Sequence, residues 1–432
     1  MSNLQDTIVA PITGNQRAAV AIVRLSGDLA WDLASKVFGR LPPDPTARHA
    51  YYGKFSHGDD GLLLLFEKGQ SFTGEETAEC QVHGSPASVR ALVSRFISLG
   101  ARMAEPGEFT YRAFMNGRMD LSQAEGVRET VDSQTSRQLQ QANLMRQGSL
   151  RETVQEISDV LYGVLAMVEA SVDFSDEIGE LNREEAIRKL PLSELEGLLA
   201  TAGRGILTRE GVTVAIVGPP NAGKSSLLNR LLGSDRAIVT PVAGTTRDTI
   251  EEVAEINGQL VRFIDTAGLR QASDQAEQLG IERSAEAAKA ADRIWFVYDA
   301  SQGWGEQEQA EWERLGNPET IIANKCDLAR AEAQNHFAVS ALHGEGIDRL
   351  TQTLVTLEQH EPSVAINMRH KPLVERALIS TMEAKKVFEQ PIPDDLASVH
   401  LRDAVKALGQ ITGDTASEDM IDRIFRDFCI GK

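Results

Sequence analysis

The chain has 432 residues, of which 63 are acidic and 44 basic, and its formal net charge at pH 7 is −19. A chain of this length has room for about three domains. The acidic balance argues against a protein that binds nucleic acid through bulk electrostatic attraction, because phosphate contacts need clustered cations.

The first part of the chain, residues 1 to 118, has the short apolar runs typical of an α+β domain. We predict strands at Thr7–Ala10, Ala19–Leu25 and Leu62–Phe66, and a helix over Pro86–Leu99. These elements together would be enough for one small core of their own.

Long helical patterns flank the middle of the chain on both sides. An apolar stripe at helical spacing runs through the first block, at Val154, Ile157, Leu161, Val164, Leu165 and Val168. Helices continue over 180–209 with a break at Pro191. They return over 371–428, where Pro391 and Pro393 break one helix and residues 413–417 form a turn before the last helix. We therefore predict one helical domain in two parts, 119–210 and 371–432, with a further domain over 211–370 inserted between them.

That inserted segment opens with a glycine-rich loop, Gly218–Ser225, which matches GxxxxGK[ST] between a predicted strand and a predicted helix. Such a turn directs backbone N–H groups inward, and the helix N-terminus adds positive potential, so the loop forms a cradle for polyphosphate. Lys224 would reach the β- and γ-phosphates, and the Ser225 hydroxyl would bind Mg²⁺. This pattern predicts a nucleoside triphosphate site.

Asn324-Lys325-Cys326-Asp327, directly after an apolar run, indicates that the base is guanine. The Asp327 carboxylate can accept two hydrogen bonds from the guanine edge, whereas adenine has no such donor pair. The Lys325 stem would lie along the base plane. Ser340 and Ala341, after a further predicted strand, would close the base pocket.

Two more motifs lie between the loop and the base motif, and they complete a GTPase pattern. Asp265 and Gly268 end an apolar strand as DxxG and would contact Mg²⁺ and the γ-phosphate, and Thr246 offers a second hydroxyl to Mg²⁺. The order of these motifs predicts a Ras-like α/β P-loop GTPase domain.

The catalytic apparatus must differ from that of Ras-like enzymes, because Leu269 stands where they carry a water-orienting glutamine. Asn221 and the segment 240–245 offer oxygen atoms that could bind a monovalent cation near the phosphates. The alternative is that Asn221 only braces the loop. From its spacing alone, Glu277 belongs to a solvated polar segment.

The three cysteines, Cys80, Cys326 and Cys429, lie far apart and form no CxxC pair, which argues against a zinc site or a disulfide framework. No apolar run approaches about 18 residues, and the N-terminus lacks a basic-then-apolar leader. We therefore expect a cytoplasmic protein without a membrane span.

The chain as a whole resembles the MnmE (TrmE) family, the GTPases of tRNA wobble-uridine modification. Outside the GTPase motifs, the resemblance rests on several contiguous stretches of sequence. These stretches are Asp6–Ile8, Ile22–Gly27, Ser71–Glu75, Pro106–Thr110, Arg112–Gly117, Asp120–Glu125, Val168–Phe174 and the terminal Cys429–Lys432. The chain differs from the family pattern at position 118, which is Arg where Lys is usual.

The resemblance implies ligands for both the GTPase and the N-terminal domain. The N-terminal domain would be similar to folate-binding one-carbon domains, and 5-formyltetrahydrofolate would contact Arg24, Glu79, Arg118 and Lys432. Potassium would be held by Asn221, Thr240, Val242 and Thr245, with Glu277 orienting the water. The GTP-binding set would be Asn221, Ala222, Gly223, Lys224, Ser225, Ser226, Thr240, Thr245, Thr246, Asp265, Gly268, Asn324, Lys325, Asp327, Ser340 and Ala341.

The resemblance also implies partners: a homodimer formed through the N-terminal domain, a heterotetramer with the flavoprotein MnmG (GidA), and tRNA as substrate. The product would carry an aminomethyl-type group on carbon 5 of the wobble uridine. Cys429 would serve as a functional thiol, although a cysteine near a C-terminus is more often inert. The alternative function is a GTP-controlled binding module, in ribosome assembly or signalling, whose N-terminal domain is only a dimer platform.

Overall fold

The structure, a computed structural model, describes residues 5–14, 17–173, 180–233, 252–264, 286–329, 335–354 and 364–431. The chain divides into two compact units. The first contains Met1–Val131, Asn143–Glu196 and Pro372–Lys432, and the second contains Asp132–Ala142 and Gly197–Lys371. The sequence-based domain boundaries remain a prediction.

The first unit contains a six-stranded sheet in the order β3-β4-β5-β2-β1-β6. Its strands are β1 Ile8–Pro11, β2 Ala18–Ser26, β3 Tyr51–Lys54, β4 Asp60–Phe66, β5 Thr77–Gly84 and β6 Arg102–Met103. Neighbouring strands pair antiparallel except β1 and β6, which pair parallel. The three predicted strands are present, while β3, β5 and β6 were not predicted.

Two helices, α1 Ala30–Val37 and α2 Pro86–Ser98, pack on this sheet and enclose its core. The apolar faces of both meet alternate side chains of the strands, as the period of two in a strand requires. Leu33, Val37, Leu92 and Phe96 are almost completely buried there.

A buried arginine holds the third helix, α3 Glu108–Met115, against the chain before β1. Arg112 is fully buried, and its guanidinium donates to Asp6 Oδ1 at 2.6 Å, to Glu108 Oε1 at 3.0 Å and to Glu75 Oε2 at 3.2 Å. Arg102 also pairs with Asp6 and Glu108. Burial alone would raise the pKa of Glu108, but the hydrogen bonds from both arginines outweigh it and hold that pKa below its usual range.

The helices that follow in chain order are α4 Leu121–Asp132, α5 Ser136–Gln147, α6 Ser149–Asp173, α7 Arg183–Lys189, α8 Leu192–Ala200 and α9 Ala202–Glu210. The predicted stripe of α6 is buried along its whole length. Pro191 separates α7 from α8 as predicted, and a second, unpredicted break falls at Thr201. The hydroxyl of Thr201 there accepts the backbone N–H of Ile366, which lies in the same unit.

Three helices, α13 His370–Glu389, α14 Asp395–Thr412 and α15 Glu418–Arg426, end the chain. The breaks between them fall where Pro391 with Pro393 and the turn 413–417 were predicted to place them. Gly413, with φ of 99°, ends α14 in the left-handed conformation, and the Ser417 side chain caps α15. Within the first unit α14 packs along α6.

The second unit contains the other six-stranded sheet, in the order β12-β11-β10-β7-β9-β8. Its strands are β7 Val212–Val217, β8 Glu252–Ile256, β9 Gln259–Ile264, β10 Arg293–Asp299, β11 Thr320–Asn324 and β12 Phe337–Val339. All neighbours pair parallel except β8 and β9. Its helices include α10 Lys224–Leu232, α11 Glu306–Arg314 and α12 Ile347–Gln352.

Parallel pairing brings the carboxyl ends of β7, β10, β11 and β12 to one edge of this sheet. The residues that follow these ends include the glycine-rich loop, the Asn-Lys-Cys-Asp motif and Ser340. The strand β10, which lies between β7 and β11, was not predicted from the sequence. Among the described residues, no helix has the length and apolar character needed to cross a membrane.

We predict that Arg112→Met lowers the free energy of unfolding by about 3–5 kcal/mol, because it leaves buried carboxylates without their cation. Urea unfolding of the full-length chain measures this. The control Arg402→Ala removes an exposed pair with Glu169 and should cost less than about 1 kcal/mol. Equal shifts in the two variants would contradict a structural role for the Arg112 cluster.

The same cluster should make the first unit sensitive to acid. The pKa values of Glu108 and Asp6 both lie below their usual values in the folded state, so their contribution to stability is complete above about pH 5 and is lost progressively as pH falls through the unfolded and then the folded pKa values. In Arg112→Met, unfolding should depend less on pH in that range.

Candidate nucleotide site and N-terminal cavity

The glycine-rich loop is shaped by two positions that only glycine fits. A Cβ on Gly218, whose φ is 134°, would lie 2.1 Å from the Val297 carbonyl of β10. A Cβ on Gly223, whose φ is 88°, would lie 2.2 Å from the side-chain nitrogen of Asn324. Side chains at these positions would therefore clash and strain the backbone. The loop is a close-packed backbone cradle at the N-terminus of α10, as phosphate binding requires.

Lys224 is the first residue of α10, and its ammonium lies at the mouth of this loop. Its Nζ donates to the carbonyl oxygens of Gly218, at 2.6 Å, and Pro219, at 2.7 Å. Burial lowers the pKa of Lys224, while the charge of Glu311 on α11 opposes that change. Among the described residues, these two neutral carbonyls are the hydrogen-bond acceptors of the partly buried ammonium, and phosphate oxygens can replace them.

Asn324 joins the phosphate loop to the segment predicted to close the base pocket. Its side chain is 1% exposed, donates from Nδ2 to the Ala222 carbonyl at 2.8 Å, and accepts the Ala341 N–H at Oδ1 at 3.1 Å. One buried amide therefore satisfies two backbone groups on separate loops. Ala222, Asn324 and Ala341 are thus brought together as the sequence predicted for one site.

Asp327 lies at the open side of this arrangement, beside Ser340. The hydrogen bond from the Ser340 side chain lowers the pKa of Asp327 and outweighs partial desolvation, so the carboxylate is charged at neutral pH. His343 Nε2 lies 3.9 Å from Asp327 Oδ2. A charged, acceptor-only group at this position suits the donor edge of a guanine.

Lys325 has a partner that sequence reasoning missed. Its Nζ lies 2.6 Å from Oδ2 of Asp299, the last residue of β10. The available signal was an apolar run, residues 294–298, that ends in a carboxylate, which is the pattern of a buried parallel strand with a polar residue at its carboxyl end.

Several predicted site residues lie outside the described residues. They are Thr240, Val242, Thr245, Thr246, Asp265, Gly268, Glu277 and Lys432. Ser225 and Ser226 are described, in the first turn of α10, and Asn221 is exposed in the loop with φ of 61°. The roles predicted for these residues remain predictions.

In the first unit, Arg24 and Glu79 face each other across β2 and β5. Arg24 Nη2 lies 2.7 Å from Glu79 Oε1, and both side chains are 16% exposed. The guanidinium carbon also lies 5.3 Å from the ring centre of Phe72 and 5.5 Å from that of Phe109. Carboxylate and aromatic rings therefore hold Arg24 in a defined position.

Phe72 also lines a cavity of about 360 Å³ in the same unit. Arg118 and Arg146 contribute its cations, and Met119 and Val127 contribute apolar wall. This volume is within the range of small-molecule sites, and such mixed walls are typical of them. The cavity thus brings Arg118 close to the ring that supports Arg24, while Phe72 and Arg146 were not predicted as site residues.

The C-terminal tail packs on the first unit near β1. The Gly107 N–H donates to the Cys429 carbonyl at 3.3 Å, and a Cβ on Gly431 would lie 2.4 Å from the Pro11 carbonyl. Cys429 is a free, exposed cysteine, whereas Cys80 is completely buried and burial raises the pKa of its thiol. Of these two thiols, only Cys429 is accessible.

Comparison with known proteins finds similar sequences over nearly the whole chain. The family model described as "GTP-binding protein TrmE N-terminus" matches residues 7–118, and the one described as "MnmE helical domain" matches residues 121–429. The protein named tRNA modification GTPase MnmE from Aquifex aeolicus is 39% identical, and the alignment covers 99% of this chain and 100% of that protein. The protein of the same name from Synechocystis is 37% identical, again over 99% of this chain and 100% of that protein.

Among solved structures, the GTPase Era in complex with MgGDPNP and a segment of 16S ribosomal RNA is 28% identical to this chain. The match covers 39% of this chain and 66% of Era, with a TM-score of 0.27, which is too low to support a shared overall fold.

We predict that Asn324→Ala weakens binding of a fluorescent GDP analogue by about tenfold or more, because two buried backbone groups lose their partner and the two loops separate. Fluorescence titration measures this. Asn317→Gly removes an amide elsewhere in the second unit, at a turn with φ of 58° that glycine adopts freely, and it should bind normally. Normal binding by Asn324→Ala would mean that the loops are held by other contacts.

Proposed function

Because this chain belongs to the MnmE family of tRNA modification GTPases, we propose that it hydrolyses GTP in a potassium-dependent cycle that drives modification of carbon 5 of the wobble uridine. A flavin-containing partner, MnmG (GidA), would act with it in a heterotetramer. The observation that carries the nucleotide part of this proposal is the Asn324 side chain, which joins the phosphate loop to the base-closing segment.

In the nucleotide site, each predicted residue would have its own role in binding or orienting the nucleotide. Lys224 would leave the carbonyls of Gly218 and Pro219 for the β- and γ-phosphates, and Asp327 would accept the guanine edge. Ser225, with Thr246 and Asp265 from outside the described residues, would hold Mg²⁺, which neutralises charge on the phosphates. Gly268 would contact the γ-phosphate, and Glu277 would orient the water.

Asn221 would contact a monovalent cation from its exposed position in the loop. Leu269 cannot orient water, so another positive charge near the phosphates would compensate for the missing glutamine and arginine finger. Asn221, with Thr240, Val242 and Thr245, would supply its oxygen ligands. The ion would stabilise the negative charge that develops during hydrolysis.

The cavity of the first unit is lined by groups that would suit a folate. Arg118 and Arg146 offer cations to its carboxylates, Phe72 offers a ring face, and the Arg24–Glu79 pair offers hydrogen-bonding groups nearby. We propose that 5-formyltetrahydrofolate binds there through Arg24, Glu79 and Arg118, with Lys432 reaching in and the N-terminal domains forming a homodimer. Bound folate would supply the one-carbon unit. The exposed Cys429 would supply a functional thiol.

The net charge of −19 is compatible with a tRNA substrate if the partner presents most of the cationic surface. This chain would then contribute a local cationic cavity and the GTP-driven cycle. The reaction would take place in the cytoplasm.

We predict that GTP turnover is at least about tenfold faster in KCl than in NaCl at equal ionic strength, a difference of about 1.4 kcal/mol in the barrier. Phosphate release by the full-length protein measures this. Asn221→Ala should remove the difference between the salts and still bind GTP. Equal rates of the parent protein in both salts would reject the cation mechanism.

We predict that the full-length chain binds 5-formyltetrahydrofolate, and that Arg118→Ala weakens this binding by about tenfold, the usual effect of losing one charge-assisted hydrogen bond. Calorimetry measures both. The control Arg95→Ala removes an exposed arginine from α2, away from the cavity lining, and should bind like the parent. No binding by the parent would favour a domain that serves only as a dimer platform.

A further inference from the structure

Asp299 occupies a position in the second sheet that faces the nucleotide site. It ends β10, which lies between β7 and β11 in the strand order, and it pairs in register with Asn324. Side chains at the carboxyl ends of central parallel strands are the ones that meet a bound ligand. None of the motifs used to predict the site contains this residue.

The carboxylate of Asp299 is held in one orientation by both of its oxygen atoms. Oδ1 accepts the N–H of Ser301 at 2.9 Å and the Ser301 hydroxyl at 2.6 Å, while Oδ2 receives the Lys325 ammonium at 2.6 Å. Burial alone would raise the pKa of Asp299, but these hydrogen bonds outweigh it and keep the group charged at neutral pH. Asp299 is thus a fixed anchor for the lysine.

Lys325 is held at both ends of its side chain. Its backbone has φ of 62°, a left-handed conformation that costs a residue with a Cβ about 1–2 kcal/mol. Its Cε lies 3.9 Å from the position that a Cβ on Gly223 would occupy, so the stem runs beside the phosphate loop. With the ammonium fixed on Asp299, the stem is restrained beside the phosphate loop, next to the place proposed for the base.

We propose that Asp299 is a positioning residue for the guanine nucleotide: it holds the Lys325 stem in the orientation that supports the base, and so sets how long the nucleotide stays bound. This inference rests on the proposed placement of guanine against Asp327. Ordering a flexible side chain before binding lowers the entropic cost of binding and so raises affinity, and affinity differences among variants of one site lie mostly in the dissociation rate.

A purely structural role is less consistent with the exposure of the pair. The Lys325 side chain is 34% exposed and the Asp299 side chain 10% exposed, so removing the Asp299 charge leaves the lysine ammonium with access to solvent and not as a buried, unpaired cation. Its loss should therefore change binding more than melting temperature. A competing arrangement, in which Asp299 withdraws Lys325 from the nucleotide, predicts the opposite sign, because removing the carboxylate would then tighten binding.

The first experiment measures dissociation of fluorescent GDP from the full-length Asp299→Asn protein in stopped flow. We expect the dissociation rate to rise by about tenfold, the usual effect of removing a charge-assisted hydrogen bond. The KM for GTP should rise while kcat at saturation stays within about twofold, because the reacting phosphate is untouched. An unchanged or slower dissociation rate would overturn the proposal.

Asp292→Asn is the matched control. Asp292 precedes β10 at the opposite edge of the sheet, where its Oδ2 accepts the Thr213 N–H at 2.8 Å. The same substitution there should leave dissociation within about twofold of the parent rate, whatever it does to melting temperature. Ser301→Ala tests the same inference in a second way. It removes one hydrogen bond to the Asp299 carboxylate without changing the charge, and it should raise the dissociation rate of GDP by about threefold.

A double-mutant cycle tests whether Asp299 acts through Lys325. Lys325→Met should itself speed dissociation, and adding Asp299→Asn to it should have no further effect. An undiminished effect of Asp299→Asn in the Lys325→Met protein would overturn the proposal.

Asp327→Asn tests the placement of guanine separately. It should shift preference from GTP toward xanthosine triphosphate, because the amide can donate to the oxygen that replaces the guanine amino group. If Asp327→Asn does not shift this preference, the proposed placement of guanine against Asp327 is wrong, whatever the result for Asp299→Asn. If it does and Asp299→Asn dissociates normally, only the inference about Asp299 fails.

Discussion

The parallel pairing of β7, β10 and β11 is the constraint on which the nucleotide site depends. It brings a glycine-rich loop and a base-recognition motif to one edge of a sheet, although about 100 residues separate them in the chain. The buried amide of Asn324 then joins the two loops with one hydrogen bond to each. Because these contacts involve backbone groups, they hold the site in shape before any ligand arrives.

Charge is used differently in the two units. In the first, the fully buried Arg112 is surrounded by three carboxylates and holds α3 in place, so its charge serves the fold. Arg118 lines a cavity, where its charge is available to a ligand. In the second, Lys224 is held by neutral carbonyls and Lys325 by a carboxylate. Carboxylates therefore hold Arg112 and Lys325 in fixed positions, whereas the neutral carbonyls that hold Lys224 can be exchanged for phosphate oxygens.

Membership of a tRNA-modifying family is compatible with the acidic composition of the chain, because the cations described above are gathered at local sites. A net charge of −19 argues against strong non-specific attraction to RNA, but it is compatible with a cationic cavity and with a site for polyphosphate. Under the proposed function, the GTP cycle would be located in the second unit and the one-carbon chemistry in the first. Family membership is shown over nearly the full length of the chain, and the ligands of the two units are individually testable.

The sequence alone determined the features that depend on residues close together in the chain. These are the strand Val212–Val217 before the phosphate loop, the apolar stripe of α6, and the helix breaks at Pro191 and Gly413. Such features follow from local periodicity and from backbone limits of proline and glycine. Only the tertiary structure decided that β10 lies between β7 and β11, and that Asp299 meets Lys325. The tertiary structure also brings Arg118 and Arg146 to the wall of one cavity, which the sequence did not predict. These contacts join residues 25 or more positions apart, and local periodicity carries no information about which distant strand or helix becomes a neighbour.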